Sequence, residues 1–273
     1  MMSTEYEQIR LDSLAWVRQA GRIARRRFGS AVASRKPDRS PVTDADHAVQ
    51  DALQGQIARR WPADAVVTEE TQQDPQRHAA LASARRCWVI DPIDGTRNYA
   101  RAVPLYSVSV AMVEQGGPAV GIIYNPATDE LYSASRGGGL WYGQEKLTPQ
   151  VAAGSYGMLV GCPAGQQHRL PGAVHHWLDR YHLRNLGSTA LHLAYLAAGG
   201  FDAVLITECH LWDMAAGWLM ADQAGVTTRR LDGSPLFPVR MPQQAYEEVS
   251  FFSAWPAVWD MLWGDLQNVP RPE

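Results

Sequence analysis

Cysteine is scarce in this chain of 273 residues: there are three, Cys87, Cys162 and Cys209, odd in number, far apart and without C-x-x-C spacing. That excludes a disulfide framework and favours a reducing compartment. Long apolar runs are missing too. No stretch approaches the roughly 18 residues a membrane span needs, and the opening MMSTEYEQIRLD has no apolar signal core, so a cytoplasmic protein with no membrane partner is expected. Neither charge dominates, with 25 basic and 28 acidic residues giving a net charge of −3, and the Arg pairs at 59–60, 85–86 and 229–230 are scattered. Nucleic acid is therefore not an expected partner. The dense cluster Arg22, Arg25, Arg26 and Arg27 falls on an amphipathic helix and reads as its solvated face. Internal repeats and low-complexity linkers are absent as well.

What the chain does have is 46% apolar content, enough for one large core or two modest lobes. Thr4 with Glu7 has the spacing of a capping box, and Leu14, Val17, Ala24 and Phe28 recur at helical spacing, which predicts a first helix ending near Phe28 and Gly29. SRKPDRSPVTDAD predicts a loop followed by a second helix, with Asp46 near its start and Pro62 at its end. AVVTEE is a short strand that stops at Glu69 and Glu70, and the β-branched run from Cys87 to Ile90 is a buried strand that Pro92 and Gly95 end. Alternating stretches between Leu105 and Tyr142, split by Gly- and Pro-rich turns, predict antiparallel hairpins. From about Leu147 strands and helices alternate, which suggests a mixed sheet. The expected division is a lobe of helices on an antiparallel sheet over 1–147 and an α/β lobe over 148–273, together one catalytic unit.

Carboxylates recur where these elements stop or start: Asp46, Glu69, Glu70, Asp91, Asp94 and Asp213. Singly, each has an ordinary explanation, turn chemistry for Asp91 and Asp94 and an N-cap for Asp213. Together they would collect in one crevice of an α/β arrangement. Two carboxylates about 4 Å apart repel by about 4 kcal/mol at an effective dielectric of 20, so a cluster requires cations or shared protons. Oxygen donors without Cys or His select Mg²⁺, Mn²⁺ or Ca²⁺ over Zn²⁺.

SPVTDAD, VTEE, DPIDGTRNY and WDMAAG followed by ADQAG, in this order, resemble the inositol monophosphatase family of Mg²⁺-dependent, Li⁺-inhibited phosphatases. The resemblance spans most of the chain and implies an α+β fold, a layered αβαβα sandwich. It implies two or three Mg²⁺ ions on Glu69, Asp91, the Ile93 carbonyl, Asp94 and Asp213, with Asp91 bridging. Glu70 matches a supporting acid, and Asp46 and Thr96 match the pair that orients the attacking water. Gly95 and Thr96 offer N–H groups to phosphate, and Ser188 and Thr189 match positions that touch substrate, although a helix cap explains them equally well. Thr68 replaces the usual Gly before the acidic pair. The inositol-cleaving members carry Glu seven residues before the metal-binding Asp; that position is Ile206 here, with Glu208 two residues on.

The resemblance thus points to a phosphomonoesterase, inositol-1-monophosphatase-like, that acts on a small phosphorylated metabolite and forms a homodimer. Histidinol-phosphate phosphatases and 3′-phosphoadenosine phosphate phosphatases of the same superfamily stay open, as does a binding partner of transcription machinery that uses the same fold. Among other candidates, His168, His175, His176, His182 and His192 fall within one region, and the adjacent His175 and His176 lack a second spaced pair and read as surface residues. Cys209 and His210 are adjacent on a strand and so point to opposite faces, which argues against a thiol nucleophile with its base. Trp255, Trp259 and Trp263 read as the core or interface face of a last helix.

Overall fold

The computed structural model describes residues 2–31, 33–35, 41–71, 81, 84–149, 157–162, 171–241 and 243–268. Apolar residues three and four apart make the first helix, α1 (Met2–Arg27), bury Tyr6, Ile9, Trp16, Val17, Ala20 and Ala24, while Arg22, Arg25 and Arg26 face outward as expected. The helix begins at Met2, so Thr4 is not its N-cap. The Glu7 carboxylate instead accepts from Arg10 Nε at 2.9 Å and Ser135 Oγ at 2.7 Å. The segment predicted as a loop contains two antiparallel strands, β1 (Ala33–Arg35) and β2 (Pro41–Thr43). Helix α2 (Asp44–Arg60) follows, capped by Thr43.

The hairpins assemble with two earlier strands into a seven-stranded sheet, ordered β3 (Ala65–Thr68), β4 (Arg86–Asp94), β5 (Ser107–Glu114), β6 (Gly117–Asn125), β7 (Glu130–Ser135), β8 (Gly139–Tyr142) and β9 (Glu145–Leu147). Every pairing is antiparallel except β3 with β4, so the sheet predicted to be antiparallel is mixed at one edge. The second sheet is mixed as expected. Its spatial order is β11 (His182–Arg184), β10 (Leu159–Gly161), β12 (Ala203–Cys209), β14 (Val249–Ala254) and β13 (Thr227–Arg230), parallel on the first side of β12 and antiparallel on the other.

Short α3 (Thr96–Ala100) leaves β4, and four further helices complete the layers: α4 (Gly172–Leu178), α5 (Thr189–Ala197), α6 (Leu211–Ala224) and α7 (Pro256–Asn268). One core lies between α1, α2 and the first sheet, with Trp88, Ile90, Val108 and Ile122 facing Val17, Leu53 and Ile57. A central core joins the other face of that sheet to α5, α6 and the second sheet. A third packs α4 and α7 outside the second sheet, through Trp177, Phe252, Val258 and Leu262. The result is an αβαβα sandwich. Trp255 is buried with its Nε1 donating to the Leu196 carbonyl at 3.1 Å, and Trp259 and Trp263 stack beside Phe252 on the outer helix. No helix of the described residues is long and apolar enough to cross a membrane.

Candidate active site

The sequence ends a strand at Ile90, yet β4 runs on to Asp94 through a bulge. Asp91 pairs with Ser109 and Asp94 with Ser107, so three steps on β4 oppose two on β5. Residues three apart on an unbroken strand point to opposite faces, and the extra residue cancels that inversion. Asp91 and Asp94 consequently share a face, opposite two small serines. Pro92 is tolerated because a bulge requires no ladder N–H there. The Ile93 N–H turns back to Asp91 Oδ1 at 3.0 Å. Gly95 then takes φ of 89°, and a Cβ there would sit 3.0 Å from the Leu105 carbonyl oxygen and 3.1 Å from that of Gly187, so glycine is required on both counts.

Asp213 joins from the start of α6. It is not the N-cap, which is His210, but the third helical residue, whose Oδ2 accepts the His210 N–H at 2.6 Å. Carboxylate oxygens of Asp91, Asp94 and Asp213 lie within 4.8 Å of one another. Asp94 also faces the start of α5, where it accepts from the Ser188 hydroxyl, from the Thr189 N–H at 3.2 Å and from the Ala190 N–H at 2.9 Å. Glu69 opens the 3-10 turn that follows β3, and its negative charge acts on Asp46, Asp91, Asp94 and Asp213 alike.

Burial and mutual repulsion push these carboxyls toward the protonated form. Asp91 is held well above the usual range by burial and by the charges of Glu69, Asp94, Asp213 and Asp46. Burial raises Asp94 to about 6 even against its hydrogen bonds from Ser188, Ala190 and Thr189. Burial and the Asp94 charge raise Asp213 to about 8. Oxygen donors that are buried, mutually repelling and free of His or Cys fit a hard divalent cation, which would remove the repulsion that the metal-free site carries.

Asp46 stands apart from that trio. It is fully buried at the third position of α2, with Oδ2 accepting both the Thr43 N–H at 2.8 Å and the Thr43 hydroxyl at 2.6 Å. Its Oδ1 has no hydrogen-bond partner among the described residues. Burial raises this carboxyl to about 6, the Thr43 hydrogen bonds oppose the rise, and Glu70 and Glu69 add to it. Thr96 donates its hydroxyl to the Ile93 carbonyl at 2.9 Å, which leaves its lone pairs for another donor.

Of the remaining candidates, Ser188, Thr189 and Ile206 line a cavity of about 130 Å³ together with Asn185, Gly187, His192 and Thr207. Ser188 is the N-cap of α5, accepting from the Leu191 N–H at 3.2 Å. A second bulge falls in β12 between Ile206 and Cys209, which places both in the central core and leaves Glu208 exposed at φ of 59°. Ile206 and Glu208, two apart, therefore do not occupy equivalent positions on one regular strand. Thr68 is buried and absent from the residues with positive φ, so nothing in the backbone demands a glycine there.

The Cys209 thiol is buried against the Val249 carbonyl and Met214, and burial keeps it protonated, which removes it as a nucleophile. Cys87 and Cys162 are equally buried. His192 is buried, and burial lowers it to about 4; the Leu186 N–H donates to its Nε2 at 3.1 Å. His175 and His182 are exposed, and His168 lies outside the described residues.

Three supporting residues escaped the sequence reading. Thr43 fixes Asp46, and its signal was the Thr-x-x-Asp capping spacing. Asn98 donates to the carbonyls of Leu105 and Leu186, both at 2.7 Å, and ties α3 to the loop before α5. Ser109 donates to the Trp212 carbonyl at 3.2 Å, joining β5 to the start of α6. Neither of the last two has a sequence signal.

The inositol monophosphatase family model matches residues 5–251. An inositol-1-monophosphatase of Mesorhizobium japonicum is 33% identical over 79% of this chain and 82% of its own length. A histidinol-phosphatase of Streptomyces coelicolor is 33% identical over 73% of this chain and 77% of its own. Among solved structures, an inositol monophosphatase and NADP phosphatase complexed with Mg²⁺ and phosphate covers 97% of both chains at a TM-score of 0.82 and 22% identity, a likeness of fold. With its carboxylates gathered by two strand ends and a helix start, and with the family's model matched over nearly its whole length, the chain belongs to the inositol monophosphatase family.

Proposed function

We propose that this chain hydrolyses the phosphate monoester of a small metabolite at a Mg²⁺ site made by Glu69, Asp91, the Ile93 carbonyl, Asp94 and Asp213, with Glu70 in support. As a member of its family the chain is a phosphoric monoester hydrolase; the proposal concerns how and on what. The observation that carries it is the convergence of Asp91, Asp94 and Asp213 oxygens within 4.8 Å, each carboxyl raised by burial and further by neighbouring charge. Two or three bound Mg²⁺ ions would neutralise the phosphoryl group and the leaving alkoxide and make the attacking water more acidic.

The chain's own residues supply the rest. Asp46 offers Oδ1 to the proton of the attacking water, and a carboxyl at about 6 is largely ionised at neutral pH while still basic enough to accept it. Thr96, its hydrogen already on the Ile93 carbonyl, can accept the water's other hydrogen and so fix its direction. The N–H groups of Gly95 and Thr96 would face phosphate oxygens, and Ser188, Thr189, Ile206 and Glu208 would border the alcohol. Ile206 puts an apolar wall where a polyol needs a hydrogen-bond partner, which favours a leaving group other than inositol. Inhibition by Li⁺ and a homodimer follow from the family resemblance.

The test is phosphate release from inositol 1-phosphate, histidinol phosphate and 3′-phosphoadenosine 5′-phosphate, with and without Mg²⁺, and with Asp94→Asn as control. One ester preferred by about 100-fold in kcat/KM, about 2.7 kcal/mol, names the substrate. Turnover that persists in a chelator would sink the metal-dependent mechanism.

A further inference from the structure

Helix α2 carries a row of polar atoms that folding has buried without partners. Asp46 Oδ1, Gln50 Oε1 and Gln54 Nε2 each lack a hydrogen-bond partner among the described residues. Asp46 is fully buried, Gln50 is 5% exposed, and Gln54 is half-buried, so the row runs from the acidic site toward the surface. Positions i, i+4 and i+8 share one face of a helix. Side chains on a helix lean toward its N-terminus, which tips Gln50 toward Asp46.

Unpaired buried polar atoms are costly, so native proteins rarely leave them so. Successive members of the row are separated by about 6 Å of helical rise. Two hydrogen bonds donated by one water, whose O–H directions diverge by about 105°, span about 4.5 Å, and the lean of Gln50 toward Asp46 shortens the gap in that direction. The polarity also suits water, since Asp46 Oδ1 and Gln50 Oε1 are both acceptors and a single water has two hydrogens to give.

We propose that Gln50 is a positioning residue for Asp46, acting through a buried water that donates one hydrogen to Asp46 Oδ1 and the other to Gln50 Oε1. A second water, accepting from Gln54 Nε2 and donating to Gln50 Oε1, closes the row. Because Thr43 takes both of its hydrogen bonds on Oδ2, the rotation of the Asp46 carboxylate is governed by what holds Oδ1. The bridging water fills one lone pair of Oδ1 and aims the other at the site. The catalytic part of this inference rests on Asp46 being the proton acceptor.

The test pairs crystallography with kinetics on the full chain in Mg²⁺. At a resolution that orders buried water, density is expected within hydrogen-bond distance of both Asp46 Oδ1 and Gln50 Oε1, and it should vanish in Gln50→Leu. That variant should lose about tenfold in kcat with KM unchanged, and Gln50→Glu, which keeps an acceptor at the same reach, should restore most of the loss. Direct protein contacts to both oxygens with no water between them would overturn the proposal. So would a folded Gln50→Leu with wild-type kcat. Should the wild-type chain turn over no ester, the phosphatase reading fails by itself, and the density alone then upholds or overturns the bridge.

Discussion

Removing the charge of Asp91 separates what that carboxylate does for folding from what it does for chemistry. Buried beside Glu69, Asp94 and Asp213, it is repelled by each of them in the metal-free protein. Asp91→Asn is expected to abolish turnover by more than about 100-fold, while the metal-free variant melts no lower than wild type at neutral pH. The cluster also sets a pH dependence. Its carboxyls bind protons more tightly in the folded chain than in the unfolded one, whose Asp groups titrate near about 3.9. The associated stability is fully present below that value. It is lost as pH rises through about 6 for Asp46 and Asp94 and about 8 for Asp213. Melting of the metal-free chain should therefore fall between about pH 5 and about pH 9, and added Mg²⁺ should raise it more at the alkaline end. A metal-free melting temperature that climbs over that range contradicts the raised carboxyls. Asp91 and Asp94 were legible in the sequence because Asp beside Pro and Gly is conspicuous. Asn98 and Ser109 were not, since a residue that orients another leaves no mark of its own.

Two elements hold the acids in register, and each can be disturbed at one atom. Helix α6 lies directly on β6: a Cβ on Gly121 would approach the Ala216 carbonyl oxygen to 2.8 Å, a contact with backbone that cannot swing aside. Gly121→Ala should lift α6 off the sheet, costing about 1–3 kcal/mol and lowering kcat by displacing Asp213, as calorimetry and kinetics would show together. Ser188→Ala removes both the cap of α5 and a donor to Asp94. About 1 kcal/mol of stability should go with the cap, and weaker Mg²⁺ binding by calorimetric titration should accompany it; unchanged metal affinity would separate the cap from the site. The bulges explain where pattern reading fell short. Alternation with a period of two locates β4 and β12 but has no means of registering an extra residue, so β4 appeared to end at Ile90 and the break in β12 between Ile206 and Cys209 left no trace. Polar β13, reading TTRR, has no apolar face to betray it.

At the scale of the whole molecule, five layers place the acidic cluster beside the central core, where β4, α5 and α6 meet. The order of elements and the family motifs made the sandwich legible in advance; which edge strand runs parallel did not follow from any local preference, because pairing direction is settled by packing. Since metal contacts arise from β3, β4 and α6 in the proposed site, a chelator should abolish turnover and lower the melting temperature at neutral pH, and Mg²⁺ should restore both. The three cysteines add a practical consequence. Cys87 and Cys209 belong to the central core and Cys162 to the outer one, and all are buried. A chromogenic thiol reagent should find nothing to label in the native chain and everything to label in the denatured one. The order in which the labels appear during slow denaturation would time the opening of one layer against the other, with no probe engineered into the protein.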